Sequence, residues 1–350
     1  MSESYFKGRG AQIKPENKFL SNRYVIEHIE GLDEVLLESP TTQIFIEHPK
    51  KIINKVTSPD LGMGFSMNPY QGCEHGCIYC YARNTHEYYG FSAGLDFESK
   101  IIVKENAPGV LERQLLHQKW HAAPIMLSGN TDCYQPQERK HELTRKMLQV
   151  LARYRHPVGI ITKNSLIMRD IDVLQELAAN NLVHVMISIT TLNEDLRRVM
   201  EPRTASAIKR LETMDALAKA NIPVGVMNAP IIPGLNDHEI PKIIKAAADH
   251  GALKAGMTVV RLNGSIAKIF EDWLRKNFPD RFDKIWSQIC SLHGGSVNDS
   301  VFGRRMAGDG HIADAIHQLF RASKKKYLAD REMPPYDLTK FLRQGNLSLF

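Results

Sequence analysis

The run Asn68-Pro69-Tyr70-Gln71-Gly72-Cys73-Glu74-His75-Gly76-Cys77-Ile78-Tyr79-Cys80-Tyr81 places three cysteines in a C-x3-C-x2-C spacing. Three thiolates this close can each hold one iron of a cubane iron–sulfur cluster. A ferredoxin would need a fourth cysteine nearby, and none follows until Cys133. The fourth iron is thereby left for a non-protein ligand, as in metal sites that keep one position open for chemistry. Gly72 and Gly76 let the loop curl around an inorganic core, because glycine tolerates positive φ. A structural zinc site would want four ligands in two half-sites. The second half-site is missing, and His75 lies inside the loop among its neighbours.

The chain has 350 residues, 43% apolar and 24% charged, enough for a sizeable core. Five cysteines are an odd number, and three crowd into eight positions. That argues against a disulfide framework and for a reducing, cytoplasmic setting. The N-terminus shows no apolar signal core, and no stretch reaches the ~20 apolar residues of a membrane span. The net charge of +6 permits a polyanionic partner without demanding one.

Residues 1–60 read as an extension with a β-rich piece at Thr42–Glu47. From about 61 to 280, short apolar strands alternate with amphipathic helices. Strands are expected at Phe65–Pro69, Ile125–Ser128, Val158–Thr162, Val183–Ile189, Val224–Ala229 and Met257–Arg261. Helices are expected near Leu111–Gln118, Glu138–Tyr154, Asp170–Asn180, Ser206–Ala220, Asp237–His250 and Ala267–Asn277. Asp170, Asn193 and Asp237 suit N-cap or first-turn positions. The alternation implies parallel pairing, as an open doubly wound sheet or a partial (β/α)6 TIM-like barrel. The barrel is favoured because the motifs fall at the C-terminal ends of successive strands. Residues 281–350 read as irregular and Gly-rich, then helical near Ala313–Leu328.

The cysteine loop followed by five βα units closely resembles the radical S-adenosylmethionine (SAM) superfamily over residues 65–277. Tyr79-Cys80-Tyr81, Thr131-Asp132, Thr162-Lys163-Asn164, Ser188 and the run 229–237 resemble the spore photoproduct lyase-related group, in a bacterial branch distinct from the lyase. The resemblance implies a 4Fe–4S cluster on Cys73, Cys77 and Cys80, with SAM bound at the open iron. It implies reductive cleavage of SAM to methionine and a 5′-deoxyadenosyl radical that abstracts hydrogen. It also implies a reducing donor of flavodoxin or ferredoxin type.

Carried over residue by residue, Lys163 contacts the SAM carboxylate and Ser188 the ribose. Gly129, Asn130 and Thr131 meet the methionine amino group, and Ala229, Pro230 and Gly234 run along the adenine. Tyr79 and Tyr81 lie near SAM as candidate hydrogen-atom relays. The lyase's cysteine position is held here by Gly129, and Cys133 falls after Asp132 instead, so photoproduct repair does not transfer. Cys133 is a candidate redox residue against the default of a buried inert thiol. Cys290 reads as packing.

The tail Asn346–Phe350 resembles the pentapeptide that docks on the bacterial sliding clamp, with Asn346 where Gln is usual. The leading substrate class is nucleic acid. A peptide or protein target, and a non-catalytic iron–sulfur carrier or sensor, stand as alternatives.

Overall fold

A computed structural model describes residues 5–19 and 41–344. Six parallel strands run in sequence order: β1 (Phe65–Met67), β2 (Ile125–Leu127), β3 (Val158–Thr162), β4 (Val183–Ser188), β5 (Val224–Ile231) and β6 (Lys254–Val259). Phe65 pairs with Ile125, Ile125 with Val158, Val158 with Val183, Val185 with Val224, and Gly225 with Lys254. Asn54–Lys55 adds an antiparallel edge to β1.

Between these strands lie α1 (Ala107–Leu116), α2 (Leu143–Arg153), α3 (Ile171–Ala178), α4 (Ala207–Lys219) and α5 (Ile240–Asp249). After β6 come α6 (Ile266–Asn277), α7 (Phe282–Ser291) and α8 (Gly310–Tyr327). Right-handed crossovers between consecutive strands put the helices on one face. Val158, Ile160, Val185 and Val226 accordingly pack with Leu148, Leu174 and Leu217 in one core.

The alternate positions face the concave side, where methionines fill the space above glycines of the next strand. A Cβ on Gly159 would lie 2.9 Å from Met126 Cε, one on Gly225 2.8 Å from Met186 Sδ, and one on Gly256 3.0 Å from Met227 Cε. The lower end of this concave face is closed by the C-terminal segment. Tyr336 stacks on His184 with ring centroids 3.9 Å apart, and its hydroxyl donates to the Val158 carbonyl at 3.2 Å.

Three elements differ from expectation. The helix foreseen over Glu138–Tyr154 breaks at Glu142, whose φ is +53°. There the buried Glu138 carboxylate accepts the Thr144 and Arg145 amides at 3.0 and 3.3 Å and restarts the helix. Strand β6 runs Lys254–Val259, beginning three residues earlier than foreseen, so that Arg261 lies beyond it. Asp170 stands at the N-cap of α3 as foreseen, its carboxylate taken by Arg145 and Arg169 rather than by a helix amide. Helix α7 occupies a stretch read as irregular. Asn193 does cap Glu194–Met200, accepting from the Asp195 and Leu196 amides. The tail Asn346–Phe350 lies outside the described residues. No helix among those described is long and apolar enough to cross a membrane.

Candidate functional site

The cysteine loop leaves the C-terminal end of β1 through Tyr70–Gln71, which pairs antiparallel with Lys100–Lys104. Gly72 and Gly76 have φ of +79° and +70°. A Cβ on Gly72 would sit 2.8 Å from the Lys100 carbonyl. The loop is held from several sides: the Cys73 amide donates to Phe97 O at 2.9 Å, Gln135 Nε2 to Gly72 O at 2.9 Å, and Arg83 Nε to Cys77 O at 2.9 Å. Residues 9–11 lie across it. A Cβ on Gly10 would meet Gly76 O at 1.7 Å, and the Gly10 and Ala11 amides donate to the buried Glu98 carboxylate at 3.0 and 2.8 Å.

Cys73 and Cys77 are buried and Cys80 half-buried, all as free thiols. Burial pushes the Cys77 thiol up to about 12 and raises Cys73 and Cys80 as well. Thiolates in such a place call for strong positive charge, which iron provides. Among the described residues no three Cys, His, Asp or Glu converge on one point as ligands of a single ion would. A cubane takes one thiolate per iron, and the three free thiols of this loop are donors of the type it needs.

Lys163, directly after β3, brings its ammonium 5.8 Å from the Tyr79 ring centroid. Burial pushes this ammonium down, but Cys77 and Glu201 facing it more than offset that, and its pKa is raised. The Lys163 amide donates to Asp132 at 2.9 Å, as Thr162 does at 2.8 Å. Burial pushes the Asp132 carboxyl up, yet His75 at 3.4 Å and the two backbone amides of Lys163 and Tyr134 hold it at about 2. Asp132 therefore joins the turn after β2, the end of β3 and the cysteine loop.

That turn holds Asn130, whose Nδ2 donates to Gln71 Oε1 at 2.8 Å, and Thr131, whose hydroxyl donates to Tyr70 O at 2.6 Å. Tyr81 is exposed and donates to Gly129 O at 2.8 Å. Ser188 is buried at the end of β4, where its carbonyl accepts from Arg210 at 2.9 Å. Ala229-Pro230 is a cis bond, and Gly234 has φ of +75°. Asn236 stitches this loop to its neighbour by donating to Thr190 O at 2.8 Å and Pro230 O at 3.0 Å. Cys133 does not join these groups. It is enclosed in the helix-side core, its thiol pushed well up by burial, and the Thr144 hydroxyl donates to its carbonyl at 2.6 Å.

The radical SAM superfamily model matches residues 67–247. The chain belongs to the radical SAM superfamily. As a member it is an enzyme, and its superfamily implies a 4Fe–4S cluster and SAM. An uncharacterized Mycobacterium tuberculosis protein is 33% identical over 234 residues, spanning 66% of this chain and 69% of its own length. A Methanocaldococcus jannaschii protein is 29% identical over 239 residues, spanning 67% and 84%. A spore photoproduct lyase mutant, solved with bound AdoMet and dinucleoside spore photoproduct, aligns with a TM-score of 0.60 at 14% identity, covering 81% of this chain and 78% of that one. At that identity the likeness is one of fold, a partial TIM-like barrel.

One buried hub beside the cysteine loop was missed in the sequence. Glu201 is fully buried and accepts from Tyr79 Oη, Thr190 Oγ1 (2.7 Å) and Arg210 Nη2 (2.5 Å). Burial pushes its carboxyl up, but Arg210 first and Lys163 next hold it at about 2. It follows the Glu194–Met200 helix and meets Arg210 inside α4. Nothing in a linear reading joins those positions.

Proposed function

We propose that Cys73, Cys77 and Cys80 hold a 4Fe–4S cluster with one open iron, and that the enzyme abstracts hydrogen from a nucleic-acid substrate. The observation that carries this reading is Lys163 at the end of β3, within electrostatic range of Cys77. When bound, the reduced cluster supplies the electron that splits SAM into methionine and a 5′-deoxyadenosyl radical. The chain's own residues bind and orient. The Lys163 ammonium pairs with the SAM carboxylate as a charge-assisted hydrogen bond. Asn130 and the carbonyls of Gly129 and Thr131 receive the amino group. Ser188 offers its hydroxyl to the ribose, and Ala229, Pro230 and Gly234 form the wall along the adenine. Glu201 fixes Tyr79 between the second and third cysteines. A flavodoxin- or ferredoxin-type protein delivers the electron. Support for nucleic acid comes from the net charge of +6 and from the shared fold of an enzyme solved with a dinucleoside photoproduct.

Anaerobic reconstitution with iron, sulfide, SAM and dithionite tests the reading. Expected are about four irons per chain and slow formation of 5′-deoxyadenosine. Cys73→Ala, Cys77→Ala or Cys80→Ala should lose the cluster, whereas Cys133→Ala should keep it. Equal loss in Cys133→Ala would overturn the three-cysteine assignment.

A further inference from the structure

The sheet is open between the edge pair Asn54–Lys55 and β6, and two loops bridge these edges. Residues 56–64, which lead into β1, meet residues 299–308, whose Met306 carbonyl accepts from the Val259 amide at 3.1 Å. Asp60 accepts from the Gly303 amide and from Arg305 Nε, and Arg305 also donates to Ser58 Oγ at 2.6 Å. Asp299 accepts from Arg304 Nε and from the Val301 amide. Both carboxylates are therefore engaged, each by a guanidinium and an amide.

A third guanidinium, Arg261, stands two residues beyond β6. Its neighbours Val260 and Leu262 are buried in the core formed with α6. Arg261 itself is half-buried, and no hydrogen bond or ion pair closes on it among the described residues. Burial first and the nearby Arg305 next push its pKa down, and Asp60 and Asp299, each already bonded to another guanidinium, offset this only in part, so the pKa stays lowered. In the 299–308 loop, Phe302 is 55% exposed with the Arg305 guanidinium 4.3 Å from its ring centroid, and Val301 is exposed as well.

A surplus, partly desolvated guanidinium matches an oxyanion bidentately. The exposed Phe302 ring, carrying Arg305 over it, offers a stacking surface that a base uses and an acidic peptide does not. We propose that Arg261 anchors a backbone phosphate of the substrate, with Phe302 of the 299–308 loop as a base-stacking surface. This rests on the nucleic-acid reading above.

The test measures fluorescence anisotropy of a labelled single-stranded thymidine oligonucleotide with reconstituted, SAM-loaded enzyme, in parallel with the same oligonucleotide on a neutral methylphosphonate backbone. Arg261→Gln should weaken phosphodiester binding at least about fivefold and lower the salt slope by about one. Arg261→Lys, which keeps the charge, should fall between wild type and Arg261→Gln. The methylphosphonate oligonucleotide should bind wild type and Arg261→Gln alike. If Arg261→Gln binds the phosphodiester with wild-type affinity and salt slope, the Arg261 assignment is wrong and the nucleic-acid reading stands. If wild type binds neither oligonucleotide, or binds a poly-glutamate peptide more tightly, both fall.

Discussion

A half-buried ammonium needs an anion nearby, because taking it out of water costs more than weak distant attraction returns. Lys163 has Cys77 and Glu201 only at electrostatic range, and Arg210 already claims the Glu201 carboxylate. The carboxylate of SAM would complete the pairing. Lys163→Ala should therefore weaken SAM binding by about 1.5–3 kcal/mol, the range for a hydrogen bond to a charged group. Equilibrium dialysis of the reconstituted variant measures this, and an unchanged affinity would place Lys163 outside the SAM site. Lys163 was legible in the sequence through the resemblance of Thr162-Lys163-Asn164 to a family motif, and its place directly after β3 could be read from the apolar strand. Glu201 and Arg210 were not: each looks like an ordinary charged residue of an amphipathic stretch. Only the packing of α4 under the end of β4 makes them a buried pair.

Five of the six strands could be read directly as short apolar runs buried on their helix side, whereas β6, which opens on Lys254-Ala255-Gly256, was read three residues late. What could not be read was set by tertiary partners: the Glu142 break depends on a carboxylate four residues earlier, and the strap of residues 9–11 on Glu98. Glu98 is fully buried and receives Arg83 Nη2 at 2.5 Å together with the Gly10 and Ala11 amides. Arg83 in turn holds the Cys77 carbonyl. Glu98→Ala would leave a buried guanidinium uncompensated, a loss of about 3–5 kcal/mol. Urea denaturation should show it, and the loaded cluster should bleach faster in air as the strap detaches. A variant with wild-type midpoint and bleaching rate would show that the strap is held by other contacts.

Acid acts on the molecule as a whole through groups whose folded and unfolded proton affinities differ. Burial holds His86 and His156 down to about 4. Trp120 Nε1 donates to His156 Nε2 at 3.1 Å, so Nδ1 carries the proton and donates to Pro157 O at 3.0 Å. In the unfolded chain both rings take up a proton near pH 6.5, whereas the folded chain resists until about pH 4. The unfolded state thus binds more protons between these values, and stability falls as pH falls through that window. Glu201 and Asp132, held at about 2, act in the same direction but lower. Their contribution is present above the unfolded carboxyl range near pH 4 and is lost only towards pH 2. Between pH 7.5 and pH 5 the histidines dominate, at about 2 kcal/mol each. Burial lowers His184 and His141 as well, so they add to the drop. Urea melts at the two pH values should show it, and His156→Phe should remove about 2 kcal/mol of it even if its stability at pH 7.5 is lower. A drop of the same size in His156→Phe would assign the acid sensitivity elsewhere.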